Sequence, residues 1–94
     1  MKFRTIPVVV EAMLYTGQNL AAVIQFTGKH PKWDTWFESW DDYVSHVDKS
    51  GGIFRILTSY GTMDAEPGDC IIEGAEGEFY PCKPDVFKMT YEKV

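Results

Sequence analysis

Apolar and β-branched runs open the chain, give way to two stretches of helical periodicity, and return as short strands punctuated by glycine. The segment Phe3-Arg4-Thr5-Ile6-Pro7-Val8-Val9-Val10-Glu11-Ala12-Met13-Leu14-Tyr15 reads as an opening strand. Pro7 cannot donate to a ladder, so it belongs at the strand's start or on an edge. Thr16-Gly17 is a turn signal. Leu20, Val23, Ile24 and Thr27 then recur at helical spacing, with Asn19 as the expected N-cap and Gly28 as the residue that ends the helix. Lys29-His30-Pro31 breaks the chain. Beyond it Trp33, Trp36, Phe37, Trp40, Val44 and Val47 fall on one helical stripe, predicting a single amphipathic helix capped near Asp34 or Thr35 and ended by Lys49-Ser50-Gly51-Gly52.

Turn chemistry organises the remainder. Ile53–Thr58 reads as a strand, Ser59-Tyr60-Gly61 as a turn, and Thr62–Ala65 as a short returning strand. Pro67-Gly68-Asp69 is a tight turn, because Pro presets φ and Gly supplies a positive one. Cys70–Glu73 and Glu78–Pro81 are strands around the loop Gly74-Ala75-Glu76-Gly77. Asp85-Val86-Phe87 suits one helical turn, and Met89–Val94 a closing strand. The expected fold is α+β: one small domain spanning residues 1–94, with an N-terminal strand, two helices and a C-terminal antiparallel meander of four to five strands.

Composition narrows the function classes. Ninety-four residues, 45% hydrophobic and 24% charged, suit one folded domain and argue against a disordered chain. Nine basic residues against fourteen acidic ones leave a charge of −5, with the cations scattered singly, so bulk nucleic-acid binding is disfavoured. A small anion needs only one or two Lys plus backbone N–H groups. No apolar run approaches the ~20 residues that span a bilayer, and no secretory leader is legible, so a cytosolic setting is expected. Cys70 and Cys82 are read as reduced thiols, although a bridge between them is geometrically possible. His30 and His46 do not pair with them at zinc-site spacing, so neither a metal nor a cofactor is implied.

The C-terminal third carries a resemblance. Pro67-Gly68-Asp69, then Ile71-Ile72, Gly74, and Gly77-Glu78-Phe79-Tyr80-Pro81-Cys82-Lys83-Pro84-Asp85 with Phe87, followed by Thr90-Tyr91-Glu92, resembles a motif of small phage and prophage proteins and is similar to the PGDYG family. Pro7–Ala12 and Tyr15–Asn19 look like that group's opening strand and turn. The chain departs from it at Cys70, where an aromatic is commoner, at Tyr15, where Trp is commoner, and through its Trp-rich middle. The resemblance implies a phage origin and action in the host bacterial cytoplasm. It extends to accessory proteins that counter host defence, some of them oligomeric sponges for cyclic nucleotide signals. It supplies no catalytic reaction.

Candidate chemistry gathers at three places. Tyr80, Lys83 and Asp85 lie on a segment stiffened by Pro81 and Pro84, where Tyr80 would stack on a base, Lys83 hold a phosphate and Asp85 accept from a base edge. The plain alternative has Tyr80 in the core, Lys83 solvated and Asp85 capping a turn. Tyr15, Thr16 and Asn19 join them as candidate ligand-binding residues through the resemblance. The Pro67–Asp69 turn and the Gly74–Gly77 loop would offer a phosphate nest, or only hairpin geometry. Trp33, Trp36 and Trp40 are open to three readings: core packing, a homo-oligomer interface, or ligand stacking. Glu76 and Glu78 do not make a convincing carboxylate pair, His46 reads as a polar-face residue, and no nucleophile–base order is present, so the chain is not expected to be an enzyme. The leading expectation is a non-enzymatic, homo-oligomeric phage counter-defence protein that sequesters a small nucleotide-type ligand. The alternatives are an acidic protein–protein inhibitor or adaptor, steered by Asp34, Glu38, Asp41, Asp42 and Asp48, and a minor virion component.

Overall fold

Turn residues decide where each segment of this chain begins and ends. A computed structural model describes residues 1–3 and 8–92. In chain order it contains β1 (Glu11–Leu14), α1 (Leu20–Thr27), α2 (Trp33–Trp36), α3 (Trp40–Lys49), β2 (Phe54–Thr58), β3 (Gly61–Ala65), β4 (Cys70–Glu73), β5 (Phe79–Cys82) and α4 (Pro84–Thr90). The expected α+β class holds: an N-terminal strand, helices, four antiparallel strands and a closing helix.

The four later strands form two hairpins. β2 pairs with β3 around Ser59-Tyr60, in the register Phe54↔Ala65 to Thr58↔Gly61. β4 pairs with β5, and β1 takes the other edge of β4, giving a sheet ordered β1-β4-β5. No ladder joins β3 to β4 among the described residues, so the two hairpins are separate sheets rather than one continuous meander. Pro81 sits in β5, an edge strand, where a missing N–H is tolerated. Among the described residues the opening ladder is shorter than expected: Glu11–Leu14 pair, Val8 and Val9 are exposed, and Pro7 lies outside the described residues.

The Trp-rich segment is two helices, not one. The backbone is extended at Phe37 (φ −135°, ψ 143°) and again at Ser39 (φ −153°, ψ 168°). Ser39 caps α3 by accepting from the Asp42 N–H at 3.1 Å, while Asp42 accepts from the Glu38 N–H at 3.3 Å. This bend folds Trp33 and Phe37 back onto Tyr43, at ring separations of 5.7 and 4.9 Å. Tyr43 and Val47, one turn apart on α3, face inward while Asp41, Asp42 and Asp48 stay in water.

A second correction falls at the C-terminal end. Residues 84–90 form a seven-residue helix with Pro84 in its first turn, where its missing N–H costs nothing. The expected strand from Met89 is therefore absent at Met89 and Thr90, and Lys93 and Val94 lie outside the described residues.

One buried cluster joins these elements: Tyr15, Val23, Ile24, Trp33, Tyr43, Val47, Phe54, Ile56, Ala65 and Ile71. Phe54 and Ile56 point in while Arg55 and Leu57 point out, the period of a half-buried strand. Ile71 and Ile72 are both fully buried, so the central strand β4 is covered on both faces. At the cluster's centre Tyr15 meets Phe54 edge-on at 4.8 Å and donates its hydroxyl to the Gly52 carbonyl at 2.6 Å.

Candidate functional site

The Pro-braced corner is tied together by its own groups. Asp69 is buried and accepts from the Glu66 N–H at 3.0 Å, and Lys83 donates to its other oxygen at 2.9 Å. Lys83 also pairs with Glu66. The two carboxylates, Glu66 first, raise the Lys83 pKa above its ordinary value. The turn's N–H groups are occupied as well: Gly68 donates to the Tyr15 carbonyl at 2.7 Å and Asp69 to the Glu66 carbonyl at 3.0 Å. In the second loop Gly74 donates to the Glu78 carbonyl, Gly77 to the Gly74 carbonyl, and Glu76 to the Glu78 carboxylate. Of the two readings open to these turns, the bonds are those of hairpin geometry.

The other expected ligand residues are placed as follows. Tyr80 and Tyr91 share a 3.0 Å hydroxyl contact, and that bond, then burial, pushes the Tyr80 pKa up to about 12. Asp85 is exposed in the first turn of α4. Tyr15 is fully buried, which corrects its expected role at a ligand surface. Asn19 does not cap α1 through its side chain. It accepts from the Thr16 N–H at 2.9 Å and donates to the Leu14 carbonyl at 2.8 Å, stitching β1 to the helix that follows. Thr16 belongs to the same knot.

A cleft of about 470 Å³ opens elsewhere, between the α2–α3 bend and the β2–β3 hairpin. Its size falls in the range of roughly 300–1,000 Å³ typical of small-molecule sites. Trp33, Phe37 and Tyr43 supply an apolar wall, and His30, Trp36, His46, Arg55 and Asp64 add polar and aromatic groups to the lining. The His30 ring lies 4.5 Å from that of Trp36. Its Nδ1 accepts from the Lys32 N–H at 3.0 Å, so in the neutral ring Nε2 carries the proton and donates to the Thr62 hydroxyl at 3.2 Å. The Arg55 guanidinium sits 5.6 Å from the centre of the Trp36 ring and 3.9 Å from Asp64, its cross-strand neighbour. Lys29 places its ammonium 4.1 Å from the centre of the Trp33 ring.

The three tryptophans therefore occupy different environments. Trp33 is buried in core and cleft wall, and its indole N–H has no acceptor among the described residues. Trp36 is exposed at the cleft, and Trp40 is half-buried against Tyr43 at 5.6 Å. Sequence reasoning passed over Arg55 and Asp64, and weighed His30 and His46 only as metal ligands or, for His46, as a polar-face residue. The two-residue turn at Ser59-Tyr60 already sets Arg55 opposite Asp64, so that pair was readable from the hairpin. Chemically the cleft offers flat apolar faces, imidazole rings and one guanidinium, a set suited to an anionic planar molecule. No cluster of three or more His, Cys, Asp or Glu side chains suited to a metal ion occurs among the described residues. No helix among them is long and apolar enough to cross a membrane.

No protein-family profile, curated protein or solved structure matches this chain.

Proposed function

We propose that this chain is a non-enzymatic binding protein that sequesters a small nucleotide-type signal, acting as a phage counter-defence factor and homo-oligomer in the host bacterial cytoplasm. The observation that carries the reading is the aromatic cleft with Arg55 at its rim. A base would lie against Trp36 and His30, and a phosphate would recruit Arg55. That recruitment is cheap: Arg55 and Asp64 are 62% and 70% exposed, and exposed pairs of this kind contribute only about 0–1 kcal/mol. Base stacking on an aromatic side chain is worth about 1–3 kcal/mol. The proposed site is thus the bend of the Trp-rich segment rather than the corner, where Tyr80 is bonded to Tyr91, Lys83 is paired with Glu66 and Asp69, and Asp85 faces water. Oligomerisation is supported by the outer edge of β1, which has no strand partner among the described residues and carries Leu14 half-exposed.

Calorimetric titration with cyclic di- and trinucleotides and linear mononucleotides tests the reading. Saturable binding to the wild type, weakened at least about tenfold in Trp36→Ala and Arg55→Ala, is expected. Silence across the panel at high micromolar concentration overturns it.

One observation favours a second reading. Asp34, Glu38, Asp41, Asp42 and Asp48 are all exposed on or beside the two short helices. An acidic adaptor that steers a basic protein would use this surface. Capture of one basic host protein, lost on charge reversal of Asp41 and Asp42, supports it over nucleotide binding.

A further inference from the structure

Cys70 and Cys82 stand directly opposite each other in the β4–β5 ladder and are both free thiols. We propose that they form a dithiol site for small disulfides of the glutathione class, which oxidise it to an intramolecular cross-strand bridge.

Register carries the argument. Directly opposed residues of an antiparallel pair project to the same face, with Cβ atoms about 4.5–5.5 Å apart. Gly74 donates to the Glu78 carbonyl, so hydrogen-bonded pairs recur at Ile72↔Tyr80 and Cys70↔Cys82. Pro81, opposite Ile71, falls on the intervening position that needs no N–H. A hydrogen-bonded pair sets Cα atoms about 5.5 Å apart, the commonest separation in disulfides. A hydrogen-bonded pair lies at the wide end of that Cβ range, so the Cβ atoms must close by about 1–2 Å, and the location permits it: this is the last pair of the ladder, at the open end of the hairpin.

Both thiols are partly accessible, so a small disulfide can reach them. Burial, then the neighbouring thiol, then Asp69 push Cys70 up, while Lys88 from α4 pulls it down. Burial and Asp69 push Cys82 up. Asp69 therefore faces both thiols, and Cys70 also feels Cys82.

The chemistry balances without another reagent. One cysteine, as thiolate, attacks a sulfur of glutathione disulfide, forming a mixed disulfide and releasing one glutathione thiolate. The second cysteine loses its proton and attacks the protein-side sulfur, releasing the second glutathione. The protein gives up two electrons and two protons, and glutathione disulfide is reduced to two thiols.

Intact-mass analysis and thiol counting after incubation of the native chain with glutathione disulfide test the site. The expected product is a monomeric polypeptide lighter by two hydrogens, with both thiols lost and both restored by dithiothreitol. Cys70→Ser and Cys82→Ser should each stop at a single glutathione adduct. A wild type that accumulates two glutathione adducts, or links into covalent dimers, overturns the proposal. So does one whose thiols react only after urea is added. Because the wild-type mass decides the outcome, the test does not depend on either serine variant folding, and it is independent of nucleotide binding.

Discussion

Asp69 holds a carboxylate where water barely reaches, and two donors keep it there: the Glu66 N–H and the Lys83 ammonium. Truncating it leaves a backbone donor and a cation without their acceptor. Asp69→Ala should therefore cost about 1–3 kcal/mol in urea unfolding. Tyr80 makes a pH prediction. Its pKa rises from 10.0 to about 12 in the folded chain, because Tyr91 holds its hydroxyl and burial disfavours the phenolate. A raised folded-state pKa gives stability that is complete below pH 10 and lost as pH climbs through 12. Alkaline denaturation should set in less steeply in Tyr80→Phe, and the wild-type phenolate absorbance should show three tyrosines, Tyr15, Tyr43 and Tyr80, lagging the exposed Tyr60, and one fewer in the variant. Neither feature was readable from sequence. Lys83 meets Glu66 and Asp69 across a turn and a ladder, and Tyr80 meets Tyr91 only because the last segment is a helix.

At the scale of elements, the capped bend at Ser39 shapes the cleft. Ser39→Ala should cost about 1 kcal/mol by urea melting and loosen the contact of Phe37 with Tyr43. Sequence reasoning placed α1 and both hairpins correctly because their signals are local: an apolar period bounded by Asn19 and Gly28, and turn residues at Tyr60-Gly61 and Gly74–Gly77. The bend escaped it for a physical reason. Trp36, Phe37 and Trp40 keep helical spacing through the break, so the hydrophobic stripe hides the start signal Ser39-Trp40-Asp41-Asp42. The closing helix was legible only as the turn Asp85-Val86-Phe87, because Met89-Thr90-Tyr91 alternates like a strand, whereas Pro84 at the first turn and the Phe87–Tyr91 stack at 5.3 Å favour a longer helix. The cleft draws its walls from three separate stretches of chain, and no local pattern brings them together.

For the molecule as a whole, one core supports two sheets and the helical layer. Ile71 is fully buried on the central strand, and Ile71→Ala should cost about 2–5 kcal/mol. A domain of this kind is typically stable by only about 5–15 kcal/mol, so the variant should melt well below the wild type. Circular dichroism melting checks this. The assembly state belongs to the same scale: sedimentation should give a mass above that of one 10.7 kDa chain, and a monomer at all concentrations would remove the homo-oligomer from the proposed function.

The meeting of Gly52 with Pro67 makes distant positions interdependent. A Cβ on residue 52 would lie 2.7 Å from Pro67 Cγ, and the backbone there has φ +85°. Gly52→Ala should lose about 1–3 kcal/mol, part of it from the collision and part from the dihedral. Trimming the proline ring in the double variant Gly52→Ala/Pro67→Ala should recover the first share and leave the second. Drift at either site would then be admissible only in company with the other, an epistasis running from the end of the helical layer to the turn that starts β4.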